Sequence, residues 1–175
     1  MAVQRAALLP HQPVLIIADG LKSQELLQQD AETWLQWAGT RDEKPSTARR
    51  PLFYPAWEHL PHEDKLPHAD IITERLDTLC QLLSWRDSES KPTSLAPVVV
   101  TSIQALMQRT LAPEVLTASM KSIRVGDQMD PLGLVEWLEG QAYEPEAKVT
   151  QKGEISLRGG ILDVFVMTHP WPTRI

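Results

Sequence analysis

Cysteine is almost absent from this chain. The single one among 175 residues, Cys80, rules out an intramolecular disulfide and any cysteine-based zinc site. It falls in an apolar helical pattern with Leu76, Leu79 and Leu83, the setting of a small buried hydrophobe rather than a reactive thiol. Long apolar runs are missing too. Nothing approaches the ~18 consecutive apolar residues of a membrane span, and the N-terminus lacks the apolar stretch of a signal peptide. A soluble, cytoplasmic protein is the expectation. The third absence is basic charge. The net charge is −6, with 11 basic and 15 acidic side chains in residues 1–119, and 6 and 8 in residues 120–175. A domain that grips phosphate backbones draws affinity from a basic stripe that releases counterions. Neither half has that composition, so a DNA grip is not expected here.

What is present is ordinary for a folded protein: 42% apolar and 23% charged residues, in a length that buries a core without staples. The run Pro13 to Ala18, closed by Asp19-Gly20, suits a strand buried on both faces, as in a parallel sheet. Residues 22–38 read as a helix carrying Leu26, Leu27, Trp34, Leu35 and Trp37. A polar loop covers 39–50, and Pro51 to Tyr54 is a short strand. Pro55 to Asp70 is rich in proline and histidine and should run irregularly. A second helix is expected over 71–83, a loop over 85–96, and a third apolar strand over 97–101. Ser102 then stands as an N-cap before Ile103, and a further short helix follows Pro113. Strands alternating with helices argue an α/β fold with a parallel sheet and right-handed crossovers.

The pattern changes near residue 120. Ser122 to Val125 reads as a short strand ending at Gly126, and Asp130-Pro131 as a helix start with the helix ending at Gly140. From Tyr143 onward the chain alternates: Tyr143 to Gln151, a turn at Lys152-Gly153, Glu154 to Arg158, Gly159-Gly160, then Ile161 to Met167. This reads as an antiparallel meander. Two domains follow, residues 1–119 and 120–175.

A parallel α/β unit raises the question of a phosphate loop, which needs glycines whose N–H groups wrap phosphates, then Lys and Ser/Thr. After the first strand the chain offers Ala18-Asp19-Gly20-Leu21-Lys22-Ser23, where the glycines are missing and Asp19 would repel phosphate. Gly159-Gly160 precedes a strand, so it gives an anion no helix N-terminus. His59, His62 and His68 lie among Glu58, Glu63, Asp64 and Asp70, but their spacing is no zinc pattern, and a solvated loop is the better reading. No catalytic residue, metal or cofactor is indicated. Trp34, Trp37 and Trp137 read as core or domain-seam residues. In Glu154 to Arg158, Ile155 and Leu157 would face the core, with Glu154, Ser156 and Arg158 on the outer face. An outward arginine is usually just solvated, although arginine is favoured at interface hot spots.

Four segments together resemble the UvrB-homology region of transcription-repair coupling factors. They are Tyr54-Pro55-Ala56-Trp57-Glu58-His59-Leu60-Pro61, residues 67–76 (Pro67 to Leu76), residues 99–109 (Val99 to Arg109), and Gly153-Glu154-Ile155-Ser156-Leu157-Arg158-Gly159-Gly160 continuing to Phe165. The resemblance implies a degenerate RecA-like lobe in 1–119 and a small α+β module like UvrB domain 2 in 120–175, truncated at its C-terminal end. It implies that the module binds UvrA and so recruits nucleotide-excision repair to stalled RNA polymerase, on a surface masked in the full-length factor. Contacts with RNA polymerase and DNA, and the ATP-driven translocase, would lie outside this stretch. Position by position, Arg158 matches a UvrA-contacting arginine, whereas Ser156 stands where UvrB has arginine and Glu144 where the family is basic. Lys148 and Lys152 are the cations available to compensate. Two other readings stay open at this point. One is a nucleotide-binding lobe of an ATP-dependent DNA helicase, completed outside the chain; the other is direct DNA binding.

Overall fold

Residues 12–39, 50–59, 67–87 and 96–175 are described by the structure, a computed structural model. The chain divides into two compact units, Met1–Thr110 and Leu111–Ile175. Sequence pattern put the division near residue 119. The difference is one short helix, Pro113–Ala118, which falls in the second unit.

The first unit alternates strand and helix: β1 (Val14–Ala18), α1 (Leu21–Gly39), β2 (Leu52–Tyr54), α2 (Ala69–Asp87), β3 (Val98–Ser102) and α3 (Ile103–Met107). Both connections between strands carry a helix, and the three strands are parallel in the order β1-β3-β2. Val-Val-Val-Thr-Ser is apolar without alternation because β3 lies in the middle and is buried at all five positions. On one face Val98 packs with Leu35 of α1, and on the other Val99 packs with Leu52, Tyr54 and the α2 residues Leu79 and Leu82. Burying each such side chain stabilises by about 1.5–3 kcal/mol.

The similar run in β1 behaves differently. Its burial alternates, leaving Leu15 and Ile17 each 50% exposed. Val14 and Ile16 meet α1, while Leu15 lines an apolar cleft of about 320 Å³ with Val99, Leu79, Leu82 and Leu106. The expectation of burial on both faces therefore fails at β1, because α2 covers the sheet over β2 and β3 only. Helix α1 is also turned from the expected face. Its buried stripe is Gln24, Ala31 and Leu35, and Leu26, Trp34 and Trp37 are exposed. The two tryptophans meet edge to face at 5.8 Å. Helix α2 is longer than its apolar pattern, taking in Trp85, Arg86 and Asp87 from the expected loop. Cys80 is half-buried within it, and burial pushes its thiol pKa up.

Three of the four quoted segments converge in this unit on Arg75, which is 1% exposed. Its guanidinium donates to the carbonyl of Pro55 at 2.6 Å and to the Tyr54 hydroxyl at 2.6 Å. Its Cζ lies over the ring of Tyr54 and over that of Trp57, 4.2 Å from each centroid. Trp57 is tied in turn to Gln108, whose Oε1 accepts from the Trp57 N–H at 2.6 Å. Burial lowers the Arg75 pKa, yet carbonyl oxygen and aromatic faces suit a guanidinium. These sequence signatures thus encode a buried polar knot that fixes the C-terminal ends of the strands. Gln24 adds to it, donating to the carbonyls of Tyr54 and Val100 at 3.0 and 3.1 Å.

The second unit holds α4 (Pro113–Ala118), α5 (Pro131–Gly140), β4 (Glu144–Pro145), β5 (Glu154–Arg158), β6 (Ile161–Val164) and β7 (Thr173–Arg174). Asp130 caps α5 as expected, accepting from the N–H groups of Leu132 and Gly133 at 3.1 Å, with Pro131 in the first turn. Leu134 and Leu138 of α5 pack on Ile155, Leu162 and Val164, with Leu157 and Tyr143 at the margin. Strands β5, β6 and β7 are antiparallel, and Gly159 and Gly160 both take positive φ in the tight turn between β5 and β6.

Two local expectations are corrected. Ser122 to Val125 is no strand, because the Asp127 carboxylate accepts from the Arg124 N–H at 2.8 Å and folds the segment into a turn at Gly126. The stretch Tyr143 to Gln151 is a strand only at Glu144–Pro145, and it pairs with β5 in parallel. The Glu154 carboxylate explains the return. It accepts from the N–H groups of Thr150 and Gln151 at 2.6 and 2.8 Å, bending the chain before β5 starts.

Candidate partner-docking face

Strand parity gives the second unit's sheet two unlike faces. Ile155 and Leu157 turn to α5, so Glu154, Ser156 and Arg158 turn away from it. Register adds Asp163 opposite Ser156, Arg174 opposite Asp163, Ile161 opposite Arg158, and Glu144 opposite Glu154. The five residues singled out from sequence do not share one environment. Arg158 is 60% exposed at its side chain. Glu144 is exposed on the short β4, and Lys148 is exposed in the loop after it. Lys152 is half-buried beside the turn into β5. Ser156 is only 3% exposed, and its hydroxyl donates to the Ala147 carbonyl at 3.2 Å. Ser156 faces outward by parity yet is covered by the 146–153 loop, so it anchors that loop and is not presented at the surface.

At the other end of the face stand two residues that sequence reading did not single out. The Asp163 carboxylate, 13% exposed, lies between two guanidiniums. Arg174 donates to it through Nε at 2.7 Å and Nη2 at 3.0 Å, and Arg158 approaches through Nη2 at 3.5 Å. The Arg174 hydrogen bonds hold the Asp163 pKa below the usual carboxylate range, against the effect of burial, and Arg158 adds to this. Alternation in Ile161-Leu162-Asp163-Val164 could have placed Asp163 outward. Arg174 gives no such signal, since its strand has two residues and follows a proline-rich bend. Charge is spread unevenly over the face: Glu144, Glu146 and Lys148 are exposed at and after the β4 edge, and Arg158 at the β5–β6 turn and Arg174 on the β7 edge are exposed as well.

Elsewhere the phosphate-loop question has a local answer. Asp19 takes a hydrogen bond from the Ser23 side chain and others from backbone N–H groups, which lower its pKa. An intramolecular carboxylate therefore sits where α1 begins, at the place an anion would take. Of the histidine cluster, His62 lies outside the described residues. His68 Nδ1 is 3.4 Å from Asp70, and among the described residues no three His, Cys, Asp or Glu side chains gather as for a metal ion. No described helix is long and apolar enough to cross a membrane.

The second unit is thus a four-stranded sheet in the order β4-β5-β6-β7, backed by α5, with the Arg158 hairpin at its centre. Residues 122–175 match the family model of the UvrB interaction domain. The chain is a relative of the transcription-repair-coupling factors. It is 36% identical to that of Mycobacterium tuberculosis over 121 residues, 69% of this chain and 10% of that protein. It is 32% identical to the Escherichia coli factor over 119 residues, 68% of this chain and 10% of that one. With the Myxococcus xanthus factor, identity is 29% over 163 residues, 93% of this chain and 12% of the other. The chain thus spans about a tenth of the length of the curated relatives it matches.

Proposed function

We propose that this chain is a binding module of a transcription-repair coupling factor, which docks UvrA through the face carrying Arg158 and thereby brings nucleotide-excision repair to stalled RNA polymerase. The observation that carries the reading is Arg158 itself. It is an exposed arginine at the end of an interaction-domain hairpin, with its guanidinium turned away from the core. Arginine's planar fork suits acidic protein surfaces, and such residues dominate interface energetics. In this reading residues 1–119 form a degenerate RecA-like lobe and 120–175 the docking module. Contacts with RNA polymerase and DNA, and ATP-driven translocation, belong to other parts of the longer factor. The work is done in the bacterial cytoplasm, and the module acts by binding rather than by catalysis. The carboxylate at the start of α1 speaks against the nucleotide-lobe alternative.

Calorimetric titration of the cognate UvrA into the 175-residue chain tests the proposal. Binding by the wild type and a loss on the order of tenfold or more for Arg158→Ala are expected. No binding by a folded wild type would sink it. A parallel titration with Mg-ATP should be flat, and saturable heat there would favour the nucleotide lobe.

A further inference from the structure

We infer that the 146–153 loop is a built part of the docking face, in which Ser156 and Glu154 are positioning residues that hold Lys148 outward as a second cation for the partner. This rests on the UvrA-docking reading and adds to it a contact and the means of presenting it. Glu154, Ser156 and Arg158 follow one another along the outer face of β5, each about 7 Å from the next. Arg158 alone of the three is exposed, because the loop engages the other two. The Ser156 hydroxyl donates to the Ala147 carbonyl at 3.2 Å. The Glu154 carboxylate accepts from the Thr150 N–H and hydroxyl at 2.6 and 3.0 Å, and from the Gln151 N–H at 2.8 Å. Lys148 lies between these two fastenings.

Both fastenings use side chains that turn away from α5, so the loop backbone runs on the side of the sheet that carries Arg158. Val149 is half-buried there and Lys148 is exposed. Among the described residues no ion pair engages the Lys148 ammonium. A lysine on a fixed backbone gives up less freedom on docking than one on a loop that must first be ordered. Its chemistry fits a carboxylate on the partner, received beside the one that meets Arg158. Glu144 and Glu146 are exposed just ahead of it. Without the lysine, the exposed charges of this edge would all be acidic, and like charges brought together oppose docking.

The test is titration of cognate UvrA against the full chain carrying Lys148→Ala, Lys148→Glu, Lys148→Arg, Ser156→Ala, Glu154→Gln or Arg158→Ala, at low and high salt, with a thermal melt of each. Lys148→Ala should weaken binding about fivefold at low salt and flatten its salt dependence, as loss of one exposed ion pair does. Lys148→Glu should weaken it further, and Lys148→Arg should bind as the wild type does. Ser156→Ala and Glu154→Gln should speed amide exchange over 147–151 and weaken binding. Glu154→Gln removes a charge that an acidic partner repels, so a loss of affinity there reports the freed loop. Neither variant should weaken a chain that already carries Lys148→Ala, whereas a purely structural role would leave the losses additive. Additive losses would overturn the positioning roles. If folded Lys148→Ala and Lys148→Glu bind as the wild type does while Arg158→Ala is weakened, docking stands and this inference is overturned. If the wild type does not bind, both fall. Should a loop variant fail to fold, Lys148→Glu decides: weakened binding supports the inference, and unchanged binding overturns it.

Discussion

The two units use charged and polar side chains in opposite ways. In the first, Arg75, Gln24, Thr78 and Thr101 point inward and tie strand ends to helices, and each is at most 2% exposed. In the second, Arg158, Asp163 and Arg174 form a cluster on the outer face of a sheet whose other side is apolar. Segments resembling one family therefore do different jobs. Those around Arg75 preserve a fold, and the one around Arg158 presents a surface. The same residue type illustrates it: the Arg75 guanidinium is buried over two aromatic rings, and the Arg158 and Arg174 guanidiniums lie exposed beside a partly covered carboxylate.

The largest effect that separates them should come from Arg75→Ala. Losing the buried hydrogen bonds and filling space poorly should cost roughly 2–5 kcal/mol, as large-to-small substitutions in cores do. Urea unfolding of the variant measures it, and a loss smaller than that of an ordinary surface substitution would break the contrast. Next comes Ser156→Arg. A long cation cannot share the space between β5 and the Ala147 carbonyl, so strain of about 1–3 kcal/mol is expected unless the 146–153 loop lifts away. Accelerated amide exchange in that loop, without a fall in stability, would show that it has lifted. Asp130→Ala should cost about 1 kcal/mol through loss of the α5 cap, visible as an earlier melt of the second unit.

The smallest effect is one of pH. Asp163 and Glu154 have pKa values depressed in the folded state, by Arg174 and by the Thr150 and Gln151 N–H groups respectively. Their contribution is present above the unfolded carboxylate pKa and fades as pH falls through the folded values. Asp163→Asn and Glu154→Gln should each flatten the loss of melting temperature below the ordinary carboxylate range, while leaving its slope near neutrality alone. Because Glu154 is only partly buried and the guanidiniums around Asp163 are themselves exposed and screened by solvent, the change should be slight. A variant with the steeper acid slope would reverse the sign and refute the assignment.

Much of the fold was legible because single residues or short runs dictate it. Val98-Val99-Val100 announced an apolar strand, Asp130-Pro131 a helix start, and Gly159-Gly160 a turn between strands. What sequence hid depended on distant neighbours. The runs of β1 and β3 look alike, and only the placement of α2 makes one of them half-exposed. Period-two reading put Ser156 outward correctly, but could not foresee a loop folded over it by a carboxylate of its own strand. The site was half visible for the same reason. Arg158 sits in an alternating strand, whereas Arg174 joins it through a two-residue pairing that leaves no periodic trace.

The pair Gly159-Gly160 has a consequence at the level of the gene. Side chains alternate along β6, so a shift of one residue in its pairing with β5 would carry Leu162 and Val164 outward and turn Asp163 against Leu138. Codon substitutions at the outward positions can retune the surface one residue at a time. A single-codon insertion or deletion in the turn would exchange surface for core along the whole strand, so lineages should vary the lettering of this hairpin far more freely than its length.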